Sequence, residues 1–96
     1  MTIDTLRFEM VAAIKARDKK KQEIIAELTQ KAKEAAFEGH TALPDQIERL
    51  ILAECKRTKE CLLVAPAGRE DIKDQLRIKV ALLEEYLKRI EEEKHG

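Results

Sequence analysis

A long apolar stripe near the carboxyl end constrains the fold of this chain more than any other feature. Apolar residues recur there at steps of three and four, so at about 100° per residue they share one face of a helix. The stripe consists of Ile72, Leu76, Val80, Leu83, Leu87 and Ile90. Pro66 ends the preceding segment, and Glu70 and Asp71 place negative charge near the amides that open a new helix. Such a face must be covered, which predicts a bundle of helices.

The same periodicity predicts three more amphipathic helices upstream. The four predicted helices span about residues 3–17, 19–38, 44–65 and 69–93. Gly39 is expected to stop the second helix and Pro44 to begin the third, because glycine tolerates a left-handed cap and proline fits the first helical turn. Residues 91–96 form a polar tail that we expect to fray. Because the connections are short, the predicted fold is an all-α four-helix up-down bundle in one domain over residues 1–96.

The buried residues of the first three helices are predicted from the same helical steps. On the first helix they are Ile3, Leu6, Met10, Ala13 and Ile14. On the second helix they are Ile24, Ile25, Leu28, Ala32 and Ala35. On the third helix they are Ile47, Leu50, Ile51, Cys55, Thr58, Leu62 and Ala65. Each helix thus offers one apolar face to the bundle.

The composition fits helices packed on helices and argues against several other classes. Charged residues make up 40% of the chain and aromatic residues 3%, which is typical of helical proteins rich in Ala, Leu, Glu and Lys. The net charge is zero, so the chain has no overall basic signature of nucleic-acid binding. No apolar run approaches the ~18 residues that cross a bilayer, and no signal-peptide pattern is present. We therefore expect a cytoplasmic protein that does not contact membranes.

No arrangement of residues in the sequence points to catalysis, a metal or a cofactor. The chain lacks serine, and His40 and His95 fall in a predicted loop and in the tail, where no rigid element fixes them. Cys55 and Cys61 lie about 240° apart around a helix, so they cannot bridge each other within it. Two cysteines without a histidine-rich or CxxC set make no zinc site. We expect a non-enzymatic protein with reduced cysteines.

An ordered set of short motifs resembles the GatB/YqeY family. The motifs are Ala13-Ile14-Lys15-Ala16-Arg17-Asp18, Lys56-Arg57, Ala67-Gly68-Arg69-x-Asp71-Ile72 and Leu83-Glu84-x-Tyr86-Leu87. Together they span roughly residues 10 to 87. The resemblance implies a four-helix part similar to the tail domain of the B subunit of tRNA-dependent amidotransferases, which is associated with engaging tRNA. It also implies an accessory rather than a catalytic role.

The chain departs from the family pattern at three positions and at its end. Lys88 stands where the family has a proline, Ala26 where it has an arginine on the second helix, and Lys79 where it has a glutamate on the fourth. The smaller helical subdomain that follows the four helices in the family is expected to be absent here. Without the proline, the fourth helix can continue into the glutamate-rich tail.

The one local concentration of positive charge lies at the first predicted interhelical turn. Its five cations, opposed only by Asp18, are Lys15, Arg17, Lys19, Lys20 and Lys21. A patch of this size can contact about two to four phosphates, with an affinity that falls steeply with salt. Arg57 and Arg69 are further candidates, because a guanidinium group holds a phosphate or carboxylate bidentately. The alternatives are a solvated turn and, for these two arginines, ion pairs with nearby helix acids.

Five apolar residues fall outside the predicted stripes and indicate a surface for another chain. They are Phe8, Leu52, Leu63, Ile78 and Leu82. Ile78 and Leu82 widen the apolar face of the fourth helix to about 200°, which is too wide for a helix covered on one side only. The alternative is that the bundle buries these residues internally or that they are tolerated singly.

The sequence leaves two functional hypotheses. In the first, the chain binds RNA, with tRNA as the first candidate, by electrostatic docking of its basic residues on phosphates. In the second, it is a protein-interaction module, such as a homodimer, an adaptor or an inhibitor, that uses the apolar residues of the third and fourth helices. The basic turn and the resemblance favour RNA, whereas the zero net charge favours a protein partner.

Overall fold

The computed structural model describes residues 1–36 and 43–95, and almost all of these are helical. The helices of this described part are α1 (Ile3–Lys15), α2 (Lys19–Ala35), α3 (Pro44–Val64) and α4 (Glu70–His95). None of its residues lies in a β-strand. The predicted all-α helical fold is therefore confirmed, and most helix bounds agree with the prediction within two residues. The predicted stop at Gly39 and the loop with His40 fall outside the described residues.

The chain divides into two compact units, Met1–Leu50 and Ile51–Gly96. The first unit holds α1, α2 and the opening turns of α3. The second unit holds the rest of α3 and all of α4. The helix α3 thus contributes residues to both units.

A reciprocal cap fixes the start of α1. The Thr2 side-chain oxygen accepts a hydrogen bond from the Thr5 amide at 3.2 Å, and the Thr5 hydroxyl oxygen accepts one from the Thr2 amide at 3.3 Å. Two amides that the helix leaves without carbonyl partners are satisfied in this way. Asp4 adds a negative charge in the same turn, where the helix dipole favours it. A cap of this kind stabilises a helix by about 1 kcal/mol.

Seven apolar residues form the buried part of the α1–α2 hairpin. They are Ile3, Leu6, Ala13, Ile24, Ile25, Leu28 and Ala32. Burial of each larger side chain stabilises the fold by about 1.5–3 kcal/mol. The predictions for Ile14 and Ala35 are wrong, because Ile14 is 55% exposed and Ala35 is exposed at the end of α2. Ile14 lies at an edge of its stripe and Ala35 is the last residue of α2, so helical spacing alone does not decide their burial.

The helix α2 ends at Ala35, earlier than the predicted residue 38. Ala36 has an extended backbone, with φ −74° and ψ 146°, while its amide still donates to the Ala32 carbonyl at 3.1 Å. Alanine is a strong helix former and carries no stop signal. The sequence therefore predicted that α2 would continue to the next glycine, Gly39.

The buried face of α4 includes Leu83 and Ile90 of the predicted stripe and extends beyond one side of that stripe. Its buried residues are Leu82, Leu83, Tyr86 and Ile90. Leu82 is only 9% exposed, so its assignment to a partner interface is wrong, and the alternative of internal burial holds for this residue. Because the apolar arc of α4 is broad, the sequence does not determine which side of the helix is covered. In the structure, the covered side carries Leu82 and Tyr86.

Residues 91–95 of the polar tail belong to α4, whereas the sequence predicted a frayed tail. The helix runs to His95, and the His95 Nε2 and Glu91 Oε1 atoms lie 2.7 Å apart. These residues are four apart along the helix, the spacing at which side chains on one face meet. Lys88 continues the helix at the position where the family pattern has a proline.

Candidate nucleic-acid interface

The basic cluster predicted from the sequence is gathered at the turn between α1 and α2. The Asp18 amide donates to the Ala13 carbonyl, and the Arg17 amide donates to the Ile14 carbonyl, both at 3.0 Å. This pair of bonds is a Schellman motif, which closes the end of a helix. It requires a left-handed residue, and Arg17 fills that position with φ 56°. Glycine is the usual residue there, because a side chain costs about 1–2 kcal/mol in this conformation.

Asp18 contributes to both helix ends: its amide closes the end of α1, and its side chain caps the start of α2. Its carboxylate accepts a hydrogen bond from the Lys21 amide at 3.1 Å, which caps the new helix. The Gln22 side chain donates from Nε2 to the Ala13 carbonyl at 3.3 Å and ties the start of α2 to the end of α1. The turn is therefore fixed by hydrogen bonds on both sides. Its rigidity holds the five basic residues, from Lys15 to Lys21, within one short segment.

Three of these cations lie where the helix dipole opposes them. Lys19, Lys20 and Lys21 form the first turn of α2, which has no acidic residue. The amino end of a helix carries partial positive charge, so cations there reduce helix stability. Only Lys15, in the last turn of α1, lies at a favourable end. A solvated turn selected for stability alone does not account for Lys19, Lys20 and Lys21.

The cluster is also poorly neutralised. Lys20 lies 3.7 Å from a Glu23 carboxylate oxygen. Within the described part of the chain, no carboxylate pairs with Lys15, Arg17 or Lys19, and all three side chains are exposed. The turn therefore presents concentrated positive charge to solvent.

The two other predicted contacts, Arg57 and Arg69, belong to the second unit and are paired there. The Arg57 guanidinium lies 3.0 Å from Glu54 Oε1, and the Arg69 Nε lies 3.5 Å from Asp71 Oδ1. These pairs match the ion-pair alternative raised for both arginines. Their role as phosphate contacts stays a prediction.

A buried carboxylate lies between α3 and α4. Glu54 is 2% exposed, and its Oε2 lies 3.4 Å from the Lys79 ammonium. Thr58 donates its hydroxyl to the Glu54 carbonyl at 2.7 Å. A buried carboxylate is stable only when it is paired and hydrogen-bonded. Lys79, one of the departures from the family pattern, thus links α4 to α3.

A second link between α3 and α4 is exposed. The Lys59 ammonium lies 3.0 Å from Glu84 Oε1, with both side chains about half exposed. The hydrogen bond that the Lys59 ammonium donates to Glu84 is the main cause that raises the pKa of Lys59 above its ordinary value of 10.5. Because both side chains are exposed, this ion pair contributes little to stability.

Four of the five residues predicted for a partner interface are exposed. Phe8 is 74% exposed and Leu63 is 85% exposed, while Leu52 and Ile78 are about half exposed. Leu63 is followed by Val64, which is exposed as well. Apolar surface therefore occurs in both units, at α1 and at the end of α3.

Metal-binding groups and membrane-spanning helices are not found in residues 1–36 and 43–95. No group of three or more His, Cys, Asp or Glu side chains in this part is arranged to hold a metal ion. No helix there is long and apolar enough to cross a membrane. Cys55 is buried and Cys61 exposed, and both are free thiols.

Comparisons with known proteins give no relative for this chain. No protein-family model matches it, and neither a curated protein nor a solved structure does.

Proposed function

We propose that the chain is a non-enzymatic binding module that docks on RNA phosphates through the turn between α1 and α2. The observation that carries this proposal is the placement of Lys19, Lys20 and Lys21 in the first turn of α2, without an acidic residue. Residues placed against local stability are expected at functional surfaces. The left-handed backbone of Arg17 likewise lowers local stability.

The mechanism is electrostatic docking without reading of bases. Lysine and arginine side chains that contact phosphates release the counterions around the nucleic acid, which drives binding and makes it depend on salt. Tyr86 is buried, and Phe8 lies about two helical turns from Lys15, so neither offers a ring at the turn on which a base can stack. The resemblance to the GatB/YqeY family makes tRNA the first RNA to test.

The test is a fluorescence anisotropy titration of labelled bulk tRNA at about 50 and 200 mM salt. With two to four phosphate contacts, the affinity should fall about 10- to 150-fold between these concentrations. The variant Lys19→Glu/Lys21→Glu should lose binding at the lower salt. Glutamate is favoured in the first turn of a helix by about 0.3–1 kcal/mol, so this variant should remain folded by circular dichroism.

A matched control changes the net charge equally at another place. Arg49→Glu/Lys88→Glu reverses two exposed cations outside the turn and should keep most of the affinity. Equal loss in the control and in the turn variant would show attraction by overall charge and would remove the assigned site. Absence of binding by the unmodified protein at about 50 mM salt would end the RNA proposal.

A second candidate function is protein interaction through the end of α3 and through α4. The adjacent Leu63 and Val64 are both more than four-fifths exposed, and Ile78 on α4 is also exposed. Sedimentation of the unmodified protein and of Leu63→Asp over a range of concentrations tests a homodimer at this surface. A monomer at every concentration would exclude that form of the second candidate.

A further inference from the structure

An open groove lies between α1 and α2 on the surface of the first unit. Its volume is about 450 Å³, within the usual size range of ligand sites. Met10 and Val11 line it from α1, and Ala26 and Thr29 line it from α2. The small side chain of Ala26 leaves room for a larger apolar group from outside. The groove has the form of a receptor for apolar side chains.

The polar side chains along α2 do not make this groove hydrophilic. The Thr29 hydroxyl donates to the Ile25 carbonyl at 2.8 Å within the helix. The Gln30 amide donates to Glu34 Oε1 at 3.2 Å, also along α2. Both groups are therefore already hydrogen-bonded, and an apolar occupant does not have to break these bonds. Among the described lining residues, no hydroxyl or thiol is paired with a base in a way that would suggest catalysis.

The apolar surface extends from the groove along α1. Val11 and Ile14 are both about half exposed, and Phe8 is largely exposed. At about 100° per residue, Met10, Ile14 and Val11 follow one another around the helix, and Phe8 comes next. Contiguous apolar residues of this kind mark an interaction surface more often than scattered ones do.

The groove carries positive charge at one end. Arg7 and Lys33 both line it, and because α1 and α2 are antiparallel, they lie at the end remote from the turn. Arg7 is 3.5 Å from the exposed Asp4, a weak pair. Within the described residues, no carboxylate pairs with Lys33. A partner that carries acidic groups at this end is therefore attracted.

We propose that this groove binds an amphipathic helix of a partner protein, with acidic residues beside its apolar ones. Apolar side chains spaced three or four residues apart enter between α1 and α2, as in other helix-in-groove complexes. Asp or Glu residues of the partner face Arg7 and Lys33. A second copy of this chain is a poorer occupant, because it brings its own Arg7, Lys33 and basic turn against the same charges. The described lining of the groove includes none of the cations proposed to bind RNA.

The experiment uses two synthetic helical peptides of about 15 residues. Both carry leucines at positions i, i+4 and i+7, flanked by glutamates in one peptide and by lysines in the other. Each is titrated into the ¹⁵N-labelled full chain and followed by NMR. The glutamate peptide should shift amide signals of α1 and α2 and bind at least about fivefold more tightly, with the difference shrinking as salt is added.

Variants then test the contacts. Val11→Asp should lower the affinity for the glutamate peptide at least about tenfold, whereas the control Leu63→Asp should leave this affinity unchanged. Arg7→Glu/Lys33→Glu should reverse the preference, so that the lysine peptide binds better. Lys19→Glu/Lys21→Glu should weaken the glutamate peptide far less than Arg7→Glu/Lys33→Glu does, which separates this proposal from RNA binding.

Three results would overturn the proposal. The first is no binding of either peptide at about 1 mM, and the second is equal binding of both peptides. The third is a dimer in sedimentation that Val11→Asp abolishes, because a second copy would then occupy this face.

Discussion

The turn between α1 and α2 and the turn between α3 and α4 meet the same backbone requirement with different residues. The turn between α1 and α2 has Arg17 in the left-handed region, with φ 56°, and the turn between α3 and α4 has Gly68 there, with φ 86°. Glycine takes this conformation without steric cost, whereas a residue with a side chain loses about 1–2 kcal/mol. The first turn therefore keeps an arginine at the expense of local stability.

The charges around the two turns also favour stability at the turn between α3 and α4 and oppose it at the turn between α1 and α2. The first turn of α4 contains Glu70 and Asp71, which suit the helix dipole. Nearby cations are paired, since Arg69 lies 3.5 Å from Asp71 and Arg77 lies 2.8 Å from Asp74. The first turn of α2 contains three lysines instead. The charges at the second turn therefore stabilise helices, whereas Lys15, Arg17 and Lys19 near the first turn pair with no carboxylate of the described residues.

The largest effect on stability is expected from a charge in the second unit. Lys79→Met keeps an apolar stem but removes one partner of the buried Glu54 carboxylate, whose side chain is 3% exposed. We expect the free energy of unfolding in urea to fall by about 3 kcal/mol, because an incompletely paired buried charge is costly. The exposed Lys59→Met is the matched control and should shift the unfolding midpoint far less. Equal shifts would mean that the burial of Glu54 has no energetic consequence.

An intermediate effect is expected at the glycine of the second turn. Gly68→Ala adds a Cβ atom that meets nothing within 4 Å, so its cost comes from the backbone alone. The expected loss of stability is about 1–2 kcal/mol, measured by thermal or urea unfolding. An unchanged midpoint would show that this turn relaxes to another conformation.

The smallest effect is expected at the first turn, with the opposite sign. Arg17→Gly relieves the left-handed strain but adds freedom to the unfolded chain, so we expect a gain of about 0.5–1 kcal/mol. The same variant should bind tRNA more weakly and lower the salt slope by about one phosphate contact. A variant that is more stable and binds tRNA equally well would remove Arg17 from the proposed interface.

The helices and the basic turn could be predicted because both are local in sequence. Apolar spacing of three and four residues marks a helix wherever it occurs, and Pro44 and the caps mark where helices begin. The cluster from Lys15 to Lys21 is contiguous, so its proximity needed no tertiary information. The left-handed backbone of Arg17 was not predictable, because arginine gives no sign of it.

The burial of particular residues could not be predicted from spacing. On α4 the apolar arc is so wide that Leu82 and Tyr86 compete with Leu87 for the covered side, and only tertiary packing decides between them. The pairing of Glu54 with Lys79 joins residues on two helices, which single-sequence periodicity does not report. Ile14 illustrates the reverse case, an apolar residue within the predicted stripe that remains exposed.

The double role of Asp18 has a consequence for the order of folding. Because one residue closes α1 and caps α2, the adjoining turns of both helices form or open together. The loop between them is only a few residues long, so closing it costs little chain entropy. Contacts of such short sequence separation form early, which makes the α1–α2 hairpin the expected folding nucleus. Loss of the Asp18 carboxylate should therefore slow refolding more than it speeds unfolding.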